Sequence, residues 1–91
     1  MEYTILIVED EVEICNAIEI YLKTQGYRVL KAHNGQAGLD IVSHETIHLA
    51  IVDIMMPVMD GIQMTMKIRE KYDFPIIMLS AKSEDIDKIT G

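Results

Sequence analysis

Two apolar runs in this chain each end in acid. Thr4-Ile5-Leu6-Ile7-Val8 stops at Glu9-Asp10-Glu11, and His48-Leu49-Ala50-Ile51-Val52 stops at Asp53. If the two runs lie side by side and parallel, Glu9, Asp10 and Asp53 meet at one edge. Carboxylates that close repel one another. They stay ionised together only around a cation; otherwise one takes up a proton. A few hard oxygen ligands with positions left open suit Mg²⁺, which keeps waters and takes a phosphate oxygen as a further ligand.

The elements that position these groups are legible in order. Both runs read as strands of a parallel sheet buried on both faces. After Asp53 a loop is required, because Pro57 forbids continued strand pairing and Asp60-Gly61 signals a turn. After Glu11 the period becomes helical, with Ile14, Cys15, Ile18, Tyr21 and Leu22 on one stripe. Val12, Ala17 and Ile20 widen it, which implies a second apolar neighbour besides the sheet. Gly26 suits the left-handed cap of this helix. Arg28-Val29-Leu30-Lys31-Ala32 reads as a short strand, its charges placing it near the sheet's edge. Asn34 caps a second helix, with Ala37, Leu39, Ile41 and Val42 inward, that frays around Ser43-His44.

The segment after Gly61 alternates as a strand would, yet its Gln, Met, Lys, Arg and Glu favour helix. A crossover must join two parallel strands, so a helix is expected, capped by Asp60, with Ile62, Thr65 and Ile68 inward. Residues 76–80 form a fourth strand, and Ser83 caps a last helix running to Gly91. The order βαβαβαβα is that of an α/β doubly wound sheet. Right-handed crossovers give strand order 2-1-3-4, which brings the first and third strands together at the topological switch point.

Ninety-one residues make one domain at most. No run approaches the ~20 apolar residues of a membrane span, and the N-terminus lacks a secretory pattern. Cys15 is the single cysteine, which points to a core position and a reducing cytoplasm. A net charge of −7 argues against direct nucleic-acid binding. His33, His44 and His48 lack metal-ligand spacing and read as structural or surface residues.

With these residues in view, the chain resembles the receiver domain of bacterial two-component response regulators. The matching stretches are Leu6-Ile7-Val8-Glu9-Asp10-Glu11, then Asp53-Ile54-Met55-Met56-Pro57-Val58-Met59-Asp60-Gly61, then Pro75-Ile76-Ile77-Met78-Leu79-Ser80-Ala81. The resemblance covers residues 1–91 and is greatest to receivers of winged-helix transcription regulators. It implies a flavodoxin-like fold, with Asp53 as phosphoacceptor and Asp10 and Asp53 as direct Mg²⁺ ligands. It further implies the backbone carbonyl of Met55 as a third ligand and Glu9 near the metal through water. Ser80 would supply the hydroxyl that contacts the phosphoryl group. The partner implied is a sensor histidine kinase, and the outcome a transcriptional switch rather than turnover of an external substrate.

The chain also departs from the family. It stops before the usual fifth strand, its terminal lysine and the fifth helix, so it reads as a C-terminally incomplete receiver with no catalytic lysine. Lys82, two residues past Ser80, reads as a solvated loop lysine. Strand four becomes an edge whose apolar run invites self-association. The bland alternative for Glu9-Asp10-Glu11 is an acidic helix start, with Asp10 and Glu13 as a capping box. The functional alternative is a shortened receiver that binds partners without holding phosphate. An aspartate-based phosphatase is disfavoured, because Asp53-Ile54-Met55 lacks that class's Asp-x-Asp pair.

Overall fold

The computed structural model describes residues 2–79. Ser80, Lys82 and the last helix expected from Ser83 lie outside the described residues. The elements are β1 (Thr4–Val8), α1 (Val12–Thr24), β2 (Arg28–Ala32), α2 (Gly35–His44), β3 (Leu49–Asp53), α3 (Gly61–Arg69) and β4 (Ile76–Leu79). The strands form one sheet in the order β2-β1-β3-β4, every pair parallel. This is the order derived from the crossovers above, and α3 is a helix as a parallel connection demands.

β1 is buried along its whole length because it lies inside the sheet with a neighbour on each side. Its alternate residues serve two faces. Leu6 and Val8 join Ala50 and Val52 of β3 in a core closed by Val42 of α2 and Met64 and Ile68 of α3. Ile5 and Ile7, also buried, point to the opposite face. β2 and β4 flank the sheet among the described strands. Ile77, at the centre of β4, is 51% exposed.

The caps are where the sequence places them. Asn34 accepts the Ala37 N–H at 2.8 Å. Asp60 accepts the Gln63 N–H at 2.8 Å, and Gln63 Oε1 accepts the Asp60 N–H at 3.1 Å, completing a reciprocal capping box. Gly26 follows α1 with φ +89°, a left-handed conformation that suits a residue without Cβ.

Two expectations are corrected. In α3 the inward residues are Gly61, Met64 and Ile68, whereas Ile62 is exposed and Thr65 half-buried. The reason is shape: Met64 is unbranched and fills the dent at Gly38 of α2, where an added Cβ would lie 2.5 Å from its Cε. In α1 Cys15 is buried and Ile18 and Leu22 are half-buried, but Ile14 and Tyr21 of the expected inward stripe are exposed; Val12 and Ile20, which widen the stripe beyond the sheet, are exposed as well. Apolar character marked the width of that helix's stripe, but the sheet covers only a narrow part of it.

Candidate functional site

The acidic residues occupy the strand ends. Val8 pairs with Ala32 on one side and Val52 on the other, so Glu9 and Asp10 leave the sheet beside Asp53. Carboxylate oxygens of Glu9, Asp10 and Asp53 all lie within 4.8 Å of one another. Glu9 and Asp53 are each 2% exposed, and Asp10 is half-buried. The capping-box alternative is not realised: the N-cap of α1 is Glu11, and Asp10 faces the other acids instead.

Main-chain amides hold two of these carboxylates. Glu9 Oε2 accepts the Glu11 N–H at 2.9 Å, and Asp53 Oδ1 accepts the Met55 N–H at 3.0 Å. The bond to Glu9 favours its charged form but is outweighed. Burial, helped by Asp10 and Asp53 nearby and opposed by the Glu11 N–H, pushes its pKa from 4.5 up to about 7. One of the clustered carboxyls thus holds its proton far above the ordinary range when no cation is present, as the sequence argument requires.

The loop after Asp53 is tied to its surroundings at several points. Ile54 N–H donates to Leu79 O at 3.1 Å, extending the β3–β4 ladder by one residue. Gly61 N–H donates back to Ile54 O at 3.1 Å. A Cβ on Gly61 would lie 2.5 Å from the Asp53 carbonyl oxygen, so only glycine lets α3 start this close to the acid. At the loop tip Val58 has φ 69° and is fully exposed, an unusual conformation for a β-branched residue. Met55 is 55% exposed beside Asp53, while Met56 turns into the core.

His33 enters this neighbourhood without a sequence signal of its own. Its Nδ1 lies 3.0 Å from the Glu9 carbonyl oxygen. The available clue was position: the residue after β2 sits on the same sheet edge as Glu9. The other histidines stay clear of the acids. His48 Nδ1 accepts the Thr4 N–H at 3.0 Å, and the His44 ring bonds within the end of α2. A hollow of about 430 Å³ between residues 42–47 and 71–74 lies away from the acidic cluster and includes none of its residues.

The donor set is all carboxylate oxygen, closely spaced and largely buried, which fits a small hard divalent ion and offers no soft ligand. Each of Glu9, Asp10 and Asp53 offers one carboxylate oxygen to such an ion. Of the residues assigned to the site from sequence, Glu9, Asp10 and Asp53 are gathered here; Met55 touches Asp53 through its N–H rather than its carbonyl, and Ser80 lies outside the described residues.

Comparison with known proteins agrees with this architecture. The family model for the response regulator receiver domain matches residues 5–91. The regulatory protein VanR of Enterococcus faecium is 45% identical over 91 residues, covering 100% of this chain and 39% of that protein. The chain therefore spans about two-fifths of the length of the curated relatives it matches. Among solved structures, the N-terminal receiver domain from Methanoculleus marisnigri is 32% identical, with a TM-score of 0.84 over 97% of this chain and 76% of that one. The chemotaxis response regulator CheY4 of Vibrio cholerae is 26% identical, with a TM-score of 0.86 over 100% of this chain and 78% of that one. By sequence and by fold, the chain belongs to the response regulator receiver domain family.

Proposed function

We propose that this domain accepts a phosphoryl group on Asp53 from a phosphohistidine of a partner sensor kinase, in a magnesium-dependent reaction, and so acts as a transcriptional switch. The observation that carries the reading is the convergence of Glu9, Asp10 and Asp53 within 4.8 Å at the carboxyl ends of adjacent strands. Open parallel sheets bind their ligands at such a place.

In this reading Asp10, Asp53 and the Met55 carbonyl would hold Mg²⁺ directly, and Glu9 would do so through water. When bound, the ion offsets negative charge on the transferring group. An Asp53 carboxylate oxygen forms the new P–O bond. The P–N bond to the donor histidine breaks, and its electron pair returns to the imidazole. The product is an acyl phosphate, a covalent form that carboxylates are known to take. The Met55 N–H, already bonded to Asp53 Oδ1, holds the acceptor in place. The Ser80 hydroxyl donates a hydrogen bond to a phosphoryl oxygen. The new dianion then biases the surrounding loops.

The chain serves as a receiver module, residues 1–91, and no step here is turnover of an external substrate. Its net charge of −7 leaves DNA contact to an output region of a longer protein. A buried lone Cys15 suits the cytoplasm, and no helix among the described residues is long and apolar enough to cross a membrane. The place of β4 as an outer strand of the described sheet, with its uncharged apolar run, supports self-association through its edge.

Incubation with acetyl phosphate and Mg²⁺ tests the central reading. Intact mass should rise by one phosphoryl group, and should not rise in Asp53→Ala or without the metal. A wild-type chain that gains nothing favours the alternative, a module that binds partners without being phosphorylated.

A further inference from the structure

We infer that His33 is a positioning residue for the cation site, acting through the main chain of Glu9; the inference rests on the magnesium-binding reading above. The last register pair between β1 and β2 is Val8 with Ala32. Beyond it, Glu9 N–H donates to Ala32 O at 3.0 Å. The Glu9 carbonyl oxygen then meets His33 Nδ1 at 3.0 Å. A carbonyl only accepts, so Nδ1 carries the proton. The end of β2 therefore grips both polar groups of the Glu9 main chain, one through backbone and one through the imidazole.

The consequence falls on Asp10. The carbonyl of Glu9 and the nitrogen of Asp10 share one planar peptide unit. Fixing that carbonyl fixes the plane from which the Asp10 Cα departs, and so narrows the positions its carboxylate can take against Asp53. The Glu9 side chain is held separately by the Glu11 N–H at 2.9 Å. The imidazole thus contributes to the direction of the turn, while the amide of Glu11 bonds the carboxylate. His33 touches neither cation nor phosphoryl group in this scheme.

Groups that orient metal ligands from outside usually cost 10- to 100-fold in affinity when removed, and His33→Ala is expected at the lower end, about ten-fold weaker for Mg²⁺. His33→Asn places an amide N–H near the position of Nδ1 and should recover affinity to within about three-fold of wild type. Calorimetric titration of MgCl₂ into the 91-residue chain reads all three proteins, with urea midpoints taken in parallel. Equal Mg²⁺ affinity in wild type and His33→Ala overturns the role of His33 while leaving the metal site standing. A wild-type chain that takes up no Mg²⁺ overturns the metal reading and this one with it. Long-range ¹H–¹⁵N spectra of the wild-type ring give a check independent of any variant: Nδ1 must be the protonated nitrogen, and a ring protonated only at Nε2 sinks the proposal.

Discussion

The backbone of Gly61 presses so closely on Asp53 that a single added methyl group on Gly61 would stand 2.5 Å from the Asp53 carbonyl oxygen. That atom is main chain, next to a strand that cannot move away. Gly61→Ala should therefore displace the start of α3 or the Asp53 peptide, at a cost of about 1–3 kcal/mol. The acetyl phosphate reaction should slow together with the fall in the urea midpoint. Unchanged stability and unchanged phosphorylation would count against the closeness of this approach.

Val58 offers the opposite change. Its φ of 69° and its complete exposure mean that it holds a strained conformation with little packing in return. The left-handed region costs an ordinary residue about 1–2 kcal/mol, and glycine returns part of that through its greater freedom when unfolded. Val58→Gly should raise stability by roughly 0.5–1 kcal/mol, a gain of a few degrees in Tm. Thermal unfolding followed by circular dichroism checks it; a fall in Tm contradicts it.

Glu9 gives the metal-free chain a pH signature. Its pKa is 4.5 ordinarily and about 7 when folded, so the folded state binds the extra proton between those values. Its contribution to stability is complete below pH 4.5 and is lost as pH rises through about 7. The loss is on the order of 3 kcal/mol. Glu9→Gln should remove this component, so that the variant gains on wild type as pH climbs from 5 to 8. Under the proposed magnesium reading the ion displaces this proton, so its affinity for wild type should fall as pH drops below about 7. Denaturant unfolding at a series of pH values without metal measures the first effect, and calorimetry the second.

Edge pairing makes a further prediction. Ile77 is 51% exposed on β4, the outer strand of the described sheet. A lysine there opposes strand addition by a second copy. Sedimentation of the 91-residue chain should show concentration-dependent association that Ile77→Lys suppresses. A wild-type monomer at high concentration would rule out this edge as an association surface.

The strands and the acidic cluster were legible because they depend on short, strong signals. A continuous apolar run ending in acid locates Val8–Glu9 and Val52–Asp53, and parallel pairing does the rest. Caps at Asn34 and Asp60 were legible for the same reason, since each is a local bond between a side chain and an amide three residues on. The inward face of α3 was not. Whether Ile62 or Met64 turns to the core depends on the dent that Gly38 leaves in a different helix, and no periodicity within α3 carries that information. His33 escaped for a related reason: its partner is a carbonyl twenty-four residues away. Ile14 and Tyr21 of α1 follow the core-facing period but are exposed on the described surface.

The single ladder bonds that carry the pairing one residue past β1 and β3, Glu9 N–H to Ala32 O and Ile54 N–H to Leu79 O, have an effect beyond holding the rim. They splice the acidic edge onto main chain rather than onto the side chains packed underneath. Volume-conserving swaps at Leu6 or Val52 can therefore drift without retuning the chemistry above them, whereas a slip of either strand by one residue would dismantle the site outright. Mutational tolerance in this domain should be layered accordingly: permissive in the interior, strict in register.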